Sequence, residues 1–314
     1  MITVSVVIPC YNRERTIAEA VASAFAQTRS PSEVIVVDDA STDDSARLAE
    51  RGGARVVRMR ANRGSAAARN AGIQAASADA IAWLDSDDYW EPNHLEIVAS
   101  LLDRYPDAAV ASSAVRRVGT ATGTWYCNVP DGPPSDVFQN AFRDWIIPSI
   151  TTITRRDAIM AAGSFDESER FAVDFDVWLR LARRYKFVAS REVTANWRWH
   201  DAQLSGSRTR QLEATYRSRS KMLREVESAG EQDLASELAA IFRTRWMHDV
   251  QDAWDTDKIV WLRRLVELAQ LVPGLPPSLR RKWALRSRIP RTVVDAIRTY
   301  RAHHKPALGV SAGQ

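Results

Sequence analysis

Four times in under ninety residues, a short apolar run is followed by a stretch with helical spacing or by a turn into one. This alternation constrains the fold more than any other feature. Residues 3–8 form a β-branched run closed by Pro9, which predicts a buried strand. Ile17, Ala20, Val21, Ala24 and Phe25 then recur at helical spacing, so residues 14–27 are predicted as an amphipathic helix. Residues 33–37 read as a second strand, ending in Asp38 and Asp39. Ser41, with Asp44 three residues on, is the expected N-cap of a short helix reaching Glu50. Residues 54–58 supply a third strand, residues 62–64 a turn, and residues 65–76 an Ala-rich helix. A fourth strand then ends at Leu84. Strands and helices in this order specify an α/β fold with a mainly parallel sheet.

In such sheets a ligand lies off the carboxyl ends of the strands. That rule gathers three loops: residues 11–13, residues 38–39 and residues 85–88. The last carries Asp85, Asp87 and Asp88 directly after a buried strand. A buried carboxylate needs a partner, so the cluster either faces water or binds a cation. Hard oxygen donors at this spacing suit Mg2+ or Mn2+ beside a substrate phosphate. Taken alone, the same residues also make a polar turn. A basic group in the pocket would hold a diphosphate, and Arg13, Arg69 and Asn70 are the candidates. Tyr11 either stacks on a nucleobase or packs in the core. Asp39 either accepts an N–H from a base edge or sits as a charge at a helix N-terminus. The residues after the first strand, Cys10-Tyr11-Asn12-Arg13, contain no glycine fingerprint, which argues against a dinucleotide cofactor.

Further on, residues 92–105 are predicted helical, residues 108–118 extended, and residues 119–135 a loop or irregular hairpin rich in Gly, Pro and Asp. Helices are expected at residues 136–147, 155–162 and 174–185, with strands at residues 150–154 and 193–199. Trp125 and Trp178 are candidates for stacking on a sugar, although Trp178 has the spacing of a core residue. From about residue 208 the texture becomes helical to the end, which divides the chain into a domain at residues 1–207 and a helical region at residues 208–314. Between Arg280 and Lys305 the only acidic residue is Asp295. Such a charge run fits either an anionic surface, a membrane for instance, or a solvated helical tail. Cys10 and Cys127 are far apart and in no metal-ligand spacing, which favours a reducing compartment and opposes zinc. No apolar run approaches the roughly 20 residues of a bilayer span. A cytoplasmic protein, soluble or peripheral on the inner face of the membrane and without a nucleic-acid partner, is therefore expected.

Taken in order, these stretches resemble the family 2 glycosyltransferases. The matching segments are Ser5-Val-Val-Ile-Pro-Cys-Tyr-Asn-Arg13, Val34-Ile-Val-Val-Asp-Asp-Ala-Ser-Thr-Asp43, Asn62-Arg-Gly-Ser-Ala-Ala-Ala-Arg-Asn-Ala-Gly72 and Leu84-Asp-Ser-Asp-Asp88. Gly163-Ser-Phe-Asp-Glu167 and Asp174-Phe-Asp-Val-Trp-Leu-Arg180 also fit, and the resemblance spans about residues 1–205. It implies a GT-A fold, Rossmann-like with helices on a mixed sheet, followed by an α-helical extension. It further implies an inverting transfer of a sugar from a nucleotide donor to a saccharide or lipid-linked acceptor in cell-surface polysaccharide or glycolipid assembly; Asp39 favours a UDP-linked donor, with thymidine and guanosine donors the alternatives. By the same resemblance Pro9, Tyr11 and Arg13 belong to the nucleotide-binding loop, Asp39 reads the base, and Arg69 contacts the nucleotide. Asp85 and Asp87 form the D-x-D pair, with Asp87 the metal ligand and Asp85 near the ribose or metal. Asp174 matches the general base, with Val173 where the family carries Glu. His200 is either a further metal ligand or a solvent-exposed loop residue. Two other classes were weighed. A sugar-nucleotide pyrophosphorylase would carry a Gly-rich basic loop, and residues 9–16 contain no Gly. A non-catalytic nucleotide-binding scaffold does not account for the acidic pair together with Asp174.

Overall fold

The computed structural model describes residues 1–144, 147–199, 208–256, 258–288 and 293. Its first strands are β1 (Val4–Cys10), β2 (Glu33–Asp38), β3 (Arg55–Arg58) and β4 (Ala80–Trp83), interleaved with α1 (Ile17–Phe25), α2 (Ser45–Arg51) and α3 (Ser65–Ala75). β5 (Tyr89–Trp90), α4 (His94–Arg104), β6 (Ala108–Gly119), β7 (Gly123–Trp125) and α5 (Phe138–Arg143) follow. A single 3-10 turn, Ser149–Thr151, leads into β8 (Thr152–Arg155), α6 (Arg156–Ala161), α7 (Val173–Ala182) and β9 (Lys186–Trp199).

The strands form one mixed sheet in the order β3-β2-β1-β4-β8-β6-β9-β5, with β7 on β6. β3, β2, β1 and β4 are mutually parallel. β8 runs against both β4 and β6, so β6, and with it β9, points the same way as β1 and β4. The carboxyl ends of β1, β2, β4, β6 and β9 therefore share one edge of the sheet.

Alternation in β1 explains the layers. Val4, Val6 and Ile8 pack into a core with Ile17, Val21, Leu95 and Val98 of α1 and α4. Val7 faces the other way, towards α3. There Gly72 is the contact point: a Cβ at this position would collide with Val7 Cγ1. The missing side chain lets α3 lie directly on β1, which fixes Arg69, one turn earlier, against the sheet edge.

The α/β reading holds, with three local corrections. Ser41 is not an N-cap. The helix begins at Ser45 after Asp44, because the Ser41 hydroxyl oxygen accepts the Asn12 N–H at 2.9 Å and holds a longer loop. The late strand starts at Lys186 rather than Val193. A polar stretch, Ser190-Arg191-Glu192, interrupts its apolar pattern, while pairing with β6 carries it through with register shifts. The two-residue strand β5 pairs antiparallel with β9 and is too short to leave a sequence pattern.

The chain divides into two compact units, Met1–Met222 and Leu223–Gln314, and the division falls within α8 (Arg208–Ser228). The second unit contains α9 (Gln232–Asp255), α10 (Ile259–Leu268) and α11 (Pro277–Arg286). Its core includes Leu238, Phe242, Trp246, Val250, Trp254, Leu262 and Leu265. Trp246 Nε1 donates to the Leu265 carbonyl at 2.8 Å. Among the described residues no helix is long and apolar enough to cross a membrane.

Candidate active site

The loops after β1 and β2 are zipped together by side chains bonding to backbone. The Asn12 and Arg13 N–H groups donate to the hydroxyls of Ser41 and Ser45, at 2.9 and 2.7 Å. Asn12 Oδ1 accepts the Thr42 N–H at 2.8 Å. Asn12 and Ala40 adopt left-handed backbone, with φ of 51° and 61°. Ser164 and Ala172, in the loops leading to α7, do the same at 56° and 49°. L-residues are disfavoured there by about 1 kcal/mol or more each. No other described non-glycine residue has positive φ, so the backbone strain concentrates around one edge of the sheet.

Asp39 lies at that edge, 3% exposed. Its Oδ1 and Oδ2 accept the N–H groups of Arg63 and Gly64, both at 2.7 Å. The carboxylate thus anchors the turn that launches α3. Tyr11 is 42% exposed and open to a stacking partner. Pro9 pairs in register with Val37 on β2 and brings the chain to this edge.

On α3, Arg69 is 7% exposed. Its Nη2 donates to Asp85 Oδ1 at 2.8 Å, its guanidinium lies 5.5 Å from the Phe165 ring centroid, and its Nε is buried without an acceptor. Asp87 lies 3.5 Å from Arg13 Nε. Asp88 turns away: 1% exposed, it accepts the Arg198 N–H at 2.7 Å. Burial pushes its carboxyl well above the usual range, and the charges of Asp85 and Asp87 add to the rise. Asp85 and Asp87 thus carry the hard donors of this loop, and Asp88 ties the loop to the end of β9. Among the described residues no group of three His, Cys, Asp or Glu gathers as a metal cage. Two carboxylates still fit Mg2+ or Mn2+, which keep waters and take substrate phosphate oxygens as remaining ligands.

Asp174 stands in the first turn of α7. Its Oδ2 accepts a 3.5 Å contact from the Ser149 hydroxyl, and its Oδ1 accepts the Phe175 N–H at 3.0 Å. Burial pushes its carboxyl up to about 6; Arg69 opposes the rise and the charge of Asp85 adds to it. Asp174 is therefore close enough to feel both members of the Arg69–Asp85 pair. Two positions later, the buried Asp176 holds Arg180 through Nε and Nη2 at 2.9 and 2.7 Å. Arg180 in turn donates to the carbonyls of Ala162 and Ser164. This pair fixes the loop ahead of α7 and so the position of Asp174.

The structure thus brings Arg13, Arg69, Asp85, Asp87 and Asp174 to one edge. Asn70 is a correction. Its amide donates to the Phe165 carbonyl and Glu167 and accepts the Phe165 N–H, so it clamps the Gly163 loop rather than presenting itself to a phosphate. Trp178 is also settled: at 1% exposed it is a core residue and cannot stack on a sugar. His200 lies outside the described residues. Sequence reasoning missed the Asp88–Arg198 bond, the Ser149–Asp174 contact and the Asp176–Arg180 brace. The only sequence signal was the i, i+4 spacing of the last pair.

A family model described as glycosyl transferase family 2 matches residues 5–162. Over 232 residues the chain is 34% identical to the succinoglycan biosynthesis protein ExoU of Rhizobium meliloti, covering 68% of this chain and 67% of that protein. It is 29% identical over 216 residues to the uncharacterized glycosyltransferase RP339 of Rickettsia prowazekii, covering 67% and 68%. Among solved structures it is similar to S. aureus TarS 1–349 in complex with UDP-GlcNAc, with a TM-score of 0.68 and 20% identity, covering 95% of this chain and 92% of that one. It is similar also to the mannosyltransferase PcManGT of Pyrobaculum calidifontis in complex with GDP-Man and Mn2+, with a TM-score of 0.61 and 17% identity, covering 97% and 81%. At these identities the structural likeness shows the fold, which is GT-A.

Proposed function

The chain belongs to glycosyl transferase family 2, and from that premise we propose that it transfers a sugar from a UDP-linked donor to a hydroxyl acceptor with inversion at the anomeric carbon. One observation carries the reading. A carboxylate at the start of α7, Asp174, is held within electrostatic reach of an arginine–carboxylate pair, Arg69–Asp85, at the carboxyl edge of the sheet. The complex of a similar fold with UDP-GlcNAc supports the class of donor.

In this reading Tyr11 stacks on the base and Asp39 holds the loop against which the base lies. Arg13 and Arg69 meet the diphosphate, where their charge stabilises the negative charge that builds as the glycosidic bond breaks. Asp85 and Asp87 would hold a divalent cation that neutralises the leaving diphosphate. Asp174, ionised at neutral pH, takes the proton from the acceptor hydroxyl as its oxygen attacks from the face opposite the leaving group. A single base acting on the attacking hydroxyl gives a single displacement and hence inversion. The name of ExoU supports a setting in polysaccharide synthesis. The exposed basic residues Arg281, Lys282 and Arg288 on and after α11 support contact with the inner face of a membrane.

The test is a panel of UDP-, dTDP- and GDP-sugars with Mn2+ or Mg2+, read by thermal shift and by release of nucleoside diphosphate. Binding and turnover of a UDP-sugar are expected, with the product anomer inverted by NMR. A folded protein that binds and turns over none of them contradicts the reading.

A further inference from the structure

Beyond residue 115 β6 and β9 stay paired to their carboxyl ends, on the side of the sheet that carries the candidate active site. In register, Arg117 lies opposite Trp197 and Gly119 opposite Trp199. On the other side of β6, Val115 lies opposite Trp125 and Arg117 opposite Gly123. Side chains alternate along a strand, so Arg117, Trp125, Trp197 and Trp199 share one face. The guanidinium of Arg117 sits 5.4 Å from the Trp197 centroid and 5.2 Å from that of Trp199. The two indoles meet edge to face at 5.1 Å. Gly119 and Gly123 contribute no side chains, and the space above Gly123 is open.

The two faces of this ribbon differ in kind. On the even face, Arg116 pairs with Glu91, and Arg198 pairs with Glu19 and lies over the Tyr89 ring. On the odd face, among the described residues, Arg117 has no carboxylate partner, and its Nε is buried without an acceptor. A half-buried guanidinium held between half-buried indoles, with no carboxylate partner among the described residues, is a place for an anion. Half-buried indoles beside the open space at Gly123 suit the apolar faces of pyranose rings. The platform is also tied to the catalytic edge. The Arg198 N–H, between the two tryptophans, bonds to Asp88 of the Asp85–Asp88 loop.

We propose that this face of β6, β7 and β9 is the acceptor subsite, that Trp197 and Trp199 stack on the acceptor sugar, and that Arg117 binds an anionic group, phosphate or carboxylate, carried by it. The assignment rests on the glycosyltransferase reading above and specifies its acceptor as an acidic saccharide. Trp199→Ala, Trp199→Phe and Arg117→Gln test it, with glucose, galactose, mannose and N-acetylglucosamine and their 6-phosphates as probes. Binding is read by saturation-transfer NMR on the full chain in the presence of UDP and Mn2+. Wild type is expected to favour the phosphorylated sugars. Trp199→Ala should weaken every sugar on the order of tenfold while Trp199→Phe restores most of the binding. Arg117→Gln should remove the preference for the phosphorylated form and leave the neutral sugars unchanged. UDP binding, measured in the same samples, should match wild type in all three variants. No binding of any probe by wild type, or equal binding in wild type and variants, overturns the platform. Failure to bind UDP with the sugar pattern intact overturns the donor reading instead.

Discussion

Asp174→Asn should make the protein inactive and more stable at once. Burial raises this carboxyl from 3.8 to about 6. A carboxyl whose folded pKa is raised contributes its full stability below the unfolded value and loses it as pH rises through the folded value. In the metal-free protein the penalty for ionising Asp174 therefore grows between about pH 4 and pH 6 and is complete above. Two pK units correspond to about 3 kcal/mol. Partial exposure of the side chain to water reduces this to roughly 2 kcal/mol. Asparagine has the same shape, keeps an oxygen for the Phe175 N–H and carries no charge. Thermal unfolding with chelator and without nucleotide should show the variant stabilised by roughly 4–8 °C at about pH 7.5, with the difference gone near pH 4. Transfer should fall by roughly 100- to 10,000-fold, with donor affinity retained. In wild type, kcat/KM for the acceptor should fall on the acid side with an apparent pKa of about 6. Equal melting temperatures at neutral pH, or the same gain at pH 4, would refute the argument. Loss of donor binding would make Asp174 a binding residue.

Other perturbations test separate parts of the site. Asp87→Ala should abolish metal-dependent binding of UDP in calorimetry, and unchanged affinity would remove its assignment as a metal ligand. Asp39→Ala leaves the Arg63 and Gly64 N–H groups without acceptors and should cost about 2–4 kcal/mol in urea unfolding; a change below about 0.5 kcal/mol would mean that the turn stands without it. Gly72→Ala forces α3 off Val7, costing about 1–3 kcal/mol from overpacking against about 1 kcal/mol gained in helix propensity. Val7→Ala should relieve that strain in the double variant, and a single variant as stable as wild type contradicts the close packing. Reversing the charges of Arg281, Lys282 and Arg288 to Glu should weaken co-sedimentation with anionic vesicles by more than about tenfold, and unchanged sedimentation excludes the membrane contact.

The architecture was legible where one strong local pattern repeated. Apolar runs closed by Pro9, by Asp38-Asp39 and by Asp85 marked three parallel strands, and the rule for ligand position then pointed to the sheet edge where Arg13, Arg69, Asp85 and Asp87 gather. What could not be read was set by distant partners. β5 exists only because β9 offers it an edge. The polar middle of β9 is extended only because β6 runs beside it. The helix at Ser45 starts late because Ser41 is occupied by Asn12, a residue 29 positions earlier.

The same distinction sorts the carboxylates. Asp85, Asp87 and Asp88 occupy one short loop, and their composition gives each an equal claim on a cation. Their roles separate through partners on other elements: Arg69 on α3 takes Asp85, Arg13 after β1 faces Asp87, and the backbone of β9 takes Asp88. Asp174 and Asp176 form a second such set, one turned to the Arg69–Asp85 pair and the other to the brace through Arg180. A local sequence motif thus limits the chemistry to carboxylates at a sheet edge. Which carboxylate faces substrate is decided by which neighbours have already used its alternatives. By that reasoning Asp88 and Asp176 are the positions where substitution should act first on geometry. Asp88→Asn should weaken the link between the Asp85–Asp88 loop and β9, disturbing acceptor and donor affinity together, whereas Asp87→Ala should act on the donor alone. If Asp88→Asn changes only donor affinity, the bond to Arg198 does not couple the two sides of the site.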